Sequence, residues 1–241
     1  MKERTFWLVV LGALLIWSFL GLSWPGKTLA VGLSMAAKMV EGILHPDWSF
    51  AGETLRYLLE SLEMAFVGTA LSALLAIPFG FWAAAHPIGK AFLAAVRTFP
   101  ELILAIVFLV GLGPGPFAGV MALAVHSTGM LGKLYGEAVE HVSPGPREAL
   151  LAVGAPSTSL LWLAVLPQVL PAFLSLAIYR FEINVRAATV LGVVGAGGIG
   201  TPLLFSLQAY AWPKVGMMLL AIVVAVFAVD FLSARARQKL V

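Results

Sequence analysis

The chain has 241 residues, 61% hydrophobic and 11% charged, with a mean hydropathy of +0.98. A soluble domain carries about 25% charged residues, so this composition excludes a soluble globular fold and points to an integral membrane protein. A formal charge of +3 is too small to argue for nucleic acid, and the lack of cysteine excludes disulfides and thiolate metal sites.

A helical span needs about 20 mostly apolar residues. Six segments qualify, at about 6–22, 64–85, 98–113, 117–136, 168–193 and 213–232, which predicts an all-α, polytopic fold. Lys2 and Arg4 precede the first run, which ends in Gly-Leu-Ser-Trp-Pro and not in a small-residue cleavage site, so it reads as an uncleaved span. Lys2, Arg4, Lys90, Arg97, Lys133, Arg147, Arg235, Arg237 and Lys239 fall on one side of the spans. Lys27, Lys38, Arg56 and Lys214 fall on the other, which predicts cytoplasmic termini by the positive-inside bias.

Residues 23–63 form the longest external connection. Leu29, Leu33, Ala36, Val40 and Ile43 recur at helical spacing, as in a helix lying along the outer interface. A second helix is predicted to begin near Gly52 and Glu53 and to run into the membrane, with Glu53, Arg56, Glu60 and Glu63 on one face, either solvated or offered to an external partner. Residues 1–63 therefore read as a first span plus an external segment, and 64–241 as the core. Residues 21–28, GLSWPGKT, satisfy the phosphate-loop pattern G-x-x-x-x-G-K-[ST], but they follow an apolar span, contain Trp24-Pro25 and lie outside, so no nucleotide site is read there.

In the second span Gly68, Thr69, Ser72 and Gly80 permit close helix packing. The turn at 86–90 returns the chain to the membrane, and Glu101 opens the third span, either paired with Arg97 at the inner interface or lining a pore. A tight turn at 111–116 leads to the fourth span, which carries His126, Ser127 and Thr128. His126 has no ligand-type residue at i+3 or i+4, so it is read as a packing hydrogen bond or a pore group, and no metal site is predicted.

Residues 143–171 are too polar and proline-rich for hydrocarbon. They predict two short helices joined at Gly154, Ala155 and Pro156, because Gly permits the positive φ that ends a helix and Pro forbids continuation. Such an elbow projects from the surface and suits a docking partner. The fifth span holds Arg180, Glu182, Asn184 and Arg186, and three charges there oppose insertion by roughly 8 to 10 kcal/mol, so they face protein or water. Glu182 and Arg186 have the spacing of an intrahelical ion pair. That leaves Arg180 with no partner in its segment, and Arg180, Arg186 and Asn184 are read either as contacts for an anion, which arginine's planar fork suits, or as a structural network. Gly195, Gly197, Gly198 and Gly200 satisfy G-x-G-x-x-G, but no Asp or Glu lies between Glu182 and Asp230 to complete a dinucleotide site. The run is read as an unwound helix end at the outer mouth, a gate or a plain turn, and the last span as nearly featureless.

Two resemblances follow from these stretches. Glu148, Ala149, Gly154, Leu166 and Pro167 match E-A-A-x3-G-x9-I-x-L-P, the coupling-loop pattern of ATP-binding-cassette importer permeases, with Leu150 and Ala164 as departures. RTFPELILA at 97–105, HSTGMLGKLY at 126–135 and YRFEINVRAATVLGVVGAGGIG at 179–200 resemble the phosphonate (PhnE-like) permease family. The resemblance implies a type I importer (MetI-like) fold, a second permease copy forming a homodimer in the plasma membrane lipid, two cytoplasmic ATPase subunits and an external solute-binding protein. It implies no cofactor in the chain itself, and a phosphorus oxyanion as cargo. An importer of another small solute such as an amino acid is the first alternative; a membrane-embedded hydrolase and a secondary transporter are the competing classes, against which stand scattered histidines and the lack of paired broken helices.

Overall fold

The computed structural model describes residues 2–21 and 28–240. By contacts the chain divides into two compact units, Met1–Gly42 and Ile43–Val241. The first contains α1 (Lys2–Gly21) and most of α2 (Thr28–Leu44). Both were expected as helices. Residues 22–27, the middle of the phosphate-loop look-alike, lie outside the described residues.

The second unit is a helical bundle. Asp47 caps the 3-10 turn Trp48–Phe50, its Oδ1 accepting from the Ser49 amide at 3.0 Å and the Ser49 hydroxyl at 2.6 Å. The hydroxyl bond is the main reason its carboxyl sits below the usual carboxylate range. The chain then runs without interruption through α3 (Ala51–Ala85), which passes residue 63 unbroken. After α4 (Pro87–Thr98) and α5 (Glu101–Leu112) come α6 (Pro116–Glu140), α7 (Pro144–Ala152) and α8 (Ser157–Ser159). A π-helical stretch, Leu160–Val165, leads directly into α9 (Leu166–Leu191); α10 (Gly200–Gln208) and α11 (Trp212–Gln238) complete the unit. Among the described residues, five helical segments are long and apolar enough to span a bilayer, or six if the bent pair α4 and α5 is one span.

That pair corrects the expected third span. The apolar run at 98–113 begins at an 80° bend between two helices. Phe99 precedes a proline, which disfavours the helical region, and it adopts ψ 119°. The helix ends there and a new one starts at Glu101, whose carboxylate suits the positive end of the helix dipole.

α3 and α6 pack side by side on small residues. A Cβ on Gly80 would lie 2.8 Å from the Tyr135 Cβ and 3.2 Å from the Gly132 carbonyl, so only glycine allows this approach. Toward the elbow end, Tyr135 stacks on Phe173 at 3.9 Å between centroids and donates its hydroxyl to the Phe173 carbonyl at 3.1 Å, joining α6 to α9. Met64, Leu123, Val185, Ala188 and Leu191 form the core at the opposite end. The buried polar residues Thr69, Ser127, Arg180 and Asn184 lie between these two apolar layers.

Candidate functional site

The elbow is built by one short helix and one long one. α7 carries Glu148 and Ala149, both exposed, and ends at Val153. Gly154 takes φ +73°, its amide donating to Leu151 at 3.0 Å and the Ala155 amide to Leu150 at 3.0 Å, a Schellman stop that glycine accommodates without a Cβ penalty. Pro156 then turns the chain, and from Ser157 it is helical into α9. The expected second short helix is therefore the root of the fifth span. Leu166 and Pro167 sit at its junction with the π stretch, where the Leu166 amide reaches the Leu161 carbonyl and Pro167 has no amide to give. Leu151 and Val153 stand on the elbow 51% and 78% exposed.

Within the bundle, Arg180 and Asn184 share the face of α9 that turns inward, and both are buried. Arg180 Nε donates to the Ser127 Oγ at 2.9 Å, and its Nη1 lies 3.1 Å from the Met130 sulfur. Asn184 Nδ2 donates to the Thr69 Oγ1 at 2.8 Å and to the Ser127 Oγ at 3.0 Å. Thr69 passes the chain on to the Ala65 carbonyl at 2.6 Å. Arg180 Nη2 has no hydrogen-bond partner but stands 3.6 Å from the Glu101 carboxylate. His126 joins this corner, with Nδ1 3.0 Å from the Phe99 carbonyl and Nε2 4.0 Å from Glu101.

Two expectations change here. Glu101 does not pair with Arg97, which is exposed; the bend at Phe99 turns α5 so that Glu101 meets Arg180 and His126. Arg180 finds from α5 the counter-charge that its own segment lacks. Thr128 stays outside the cluster, its hydroxyl bonded to the Ala124 carbonyl of its own helix at 2.7 Å.

Glu182 and Arg186 form their pair at 2.7 Å, on a different face of α9. The last span is not featureless, because Asp230 meets Arg186 at 3.2 Å and Arg237 meets Glu182 at 3.2 Å. Two cations and two anions thus tie α9 to α11. A lone acid in an apolar span was the signal in the sequence that would have found Asp230. Thr69 and Met130 carried no such signal, since Thr and Met are ordinary in a membrane helix.

The glycine run forms a loop between the 3-10 turn Gly192–Val194 and α10. Gly195, Gly197 and Gly198 have φ +85°, +83° and +74°, while Gly200 opens α10. The Gly198 amide donates to Glu60 Oε1 and the Ile199 amide to the Ser61 Oγ, each at 2.9 Å. A Cβ on Gly198 would collide with the Ser61 hydroxyl. The run is a loop clasped by α3, and short helix α10 follows it where no separate helix was expected.

Comparison with known proteins places this arrangement. The family of binding-protein-dependent transport system inner membrane components matches residues 68–240. The chain belongs to this family. It is a multi-pass membrane component of a transport system and not an enzyme. Among relatives, it is 42% identical over 219 residues to a phosphite transport system permease protein of Stutzerimonas stutzeri, covering 88% of this chain and 80% of that one. A second protein of that organism, described as a putative phosphite transport system permease, is 34% identical over 219 residues, with 88% and 78% covered. A phosphate-import permease protein of Mycolicibacterium smegmatis is 42% identical over 190 residues, 76% of this chain but 36% of that longer one. A chain of the MetNI methionine ABC transporter in inward-facing conformations superposes with a TM-score of 0.68 at 22% identity, over 81% of this chain and 99% of its own. That likeness establishes a MetI-type permease fold for the family member described here.

Proposed function

We propose that this chain is the membrane permease of an ATP-driven importer of phosphorus oxyanions such as phosphite, phosphonate or phosphate. The observation that carries the reading is the 42% identity, over 88% of the chain, to a phosphite permease. Its working unit is a homodimer, with two cytoplasmic ATPases below and a solute-binding protein above, and both termini lie in the cytoplasm. The elbow residues Glu148, Ala149, Gly154, Ala155, Pro156, Leu166 and Pro167 transmit ATPase closure to α9. Spans three to five then rock about the two-fold axis. A ligand drives such a switch only by preferring one of the two states.

Arg180 is the residue proposed to meet the anion. Its unsatisfied Nη2 leaves one arm of the fork for an oxyanion once Glu101 withdraws, with Asn184, Ser127 and His126 around it. Arg186, engaged by Glu182 and Asp230, belongs to the α9–α11 tie. The loop at Gly195, Gly197, Gly198 and Gly200 is proposed as the outer gate. Uptake of labelled phosphite into proteoliposomes holding the chain with its ATPase and binding protein tests the reading, with phosphonate, phosphate and methionine as competitors. Competition by the oxyanions alone is expected; competition by methionine alone would transfer the chain to amino-acid import. Arg180→Gln is expected to reduce uptake with assembly unchanged, and undiminished uptake would return Arg180 to a structural role.

A further inference from the structure

The elbow is poorly held by packing. None of the residues of α7 is buried, and a hollow of about 570 Å³ separates it from the bundle, lined by Ala84, Glu140, Ser143, Arg147, Glu148 and Val165. A lever lying over empty space transmits force only if its base is fixed, because a hinge that yields dissipates the movement locally. Among the described residues, one side chain hydrogen-bonds to both ends of the elbow. Gln168, in the first turn of α9, accepts from the Ser143 amide at 3.1 Å through Oε1. Its Nε2 donates to the Ala164 carbonyl at 2.7 Å and reaches the Ser143 carbonyl at 3.5 Å. Ser143 is the residue at which α7 begins, and Ala164 lies in the π stretch that ends the excursion. One amide therefore brackets both ends of the elbow.

The chemistry suits an amide and nothing else of that length. The side chain must accept from one backbone N–H and donate to two carbonyls, which a carboxylate cannot do. It sits beside Pro167, which supplies no amide of its own, at a π segment whose backbone pairing departs from the α pattern. We propose that Gln168 is a positioning residue for energy coupling: it closes the elbow into a rigid loop, so that displacement of α7 is passed to α9 and not absorbed at Ser143. The coupling part of this assignment rests on the importer reading; the clip itself does not.

Gln168→Leu keeps the side-chain volume and removes all three hydrogen bonds. In liposomes containing the complex with its co-purified ATPase, phosphite uptake per ATP hydrolysed is expected to fall about tenfold, with complex yield unchanged. The native chain contains no cysteine, so Ser143→Cys with Gln168→Cys can be joined by a short bis-methanethiosulfonate, each thiol displacing one sulfinate to form a disulfide, and joining is expected to restore the ratio. A Gln168→Leu ratio within about twofold of the unsubstituted complex overturns the proposal. A second measurement needs no partner. Spin labels on Val153→Cys and Leu170→Cys in the purified chain are expected to give a narrow distance distribution, broadened about twofold by Gln168→Leu. Equal widths overturn the clip. An unsubstituted chain that binds no ATPase counts against the importer reading instead, and the label widths still decide the clip.

Discussion

Arg180 shows how one residue is governed by partners far away in sequence. Its guanidinium is 4% exposed, and the Glu101 carboxylate at 3.6 Å is its counter-charge. Breaking a fully buried pair by removing one partner costs about 3–5 kcal/mol, and Glu101 is about a third exposed, so the loss in Glu101→Gln is expected to fall below that range. Glu101→Gln with Arg180→Met should recover part of it, because no buried charge is then left alone. A double-mutant cycle on the unfolding of the purified chain measures both. Asn184→Leu removes the donor to Thr69 and the amide that exchanges hydrogen bonds with Ser127, and is expected to cost about 1–2 kcal/mol, since polar contacts between membrane helices are modest.

At the scale of elements, the joints matter more than the helices. Gly154 has open space around the position of a Cβ, so substitution there is opposed by its backbone conformation alone. Gly154→Ala is expected to cost roughly 1–2 kcal/mol of elbow stability, and Gly154→Asn less, because Asn tolerates positive φ. Gly154→Pro also deletes the amide bonded to Leu151 and is expected to abolish uptake with the chain still inserted; normal transport by that variant would count strongly against a coupling role. Asp230→Asn weakens the tie between α9 and α11. Faster hydrogen exchange in the Asp230 half of α11 than near Trp212 is the expected sign, read by mass spectrometry.

For the whole molecule, a charged quartet on α9 and α11 bears on assembly. Arg186 is half exposed in the single chain, and a charge within an apolar span is costly against lipid. Protein or water is therefore expected to cover that face in the working complex. Native mass spectrometry of the purified transporter is expected to give two copies of this chain with two ATPase subunits, and a single copy with full uptake activity would remove the homodimer from the proposal.

The sequence by itself determined what depends on short-range pattern. Composition fixed the membrane class, spacing fixed the Glu182–Arg186 pair, and Gly154 followed by Pro156 fixed where α7 stops, because each is settled within a few turns of one helix. Tertiary structure alone decided the rest. The bend at Phe99 gave Glu101 the partner Arg180 in place of Arg97, α11 supplied Asp230 and Arg237 to α9, and α3 took the glycine loop through Glu60 and Ser61. A buried charge is paired by whichever group the packed helices bring within reach, and the angle at which two helices meet is set by their contacts and not by their periodicity.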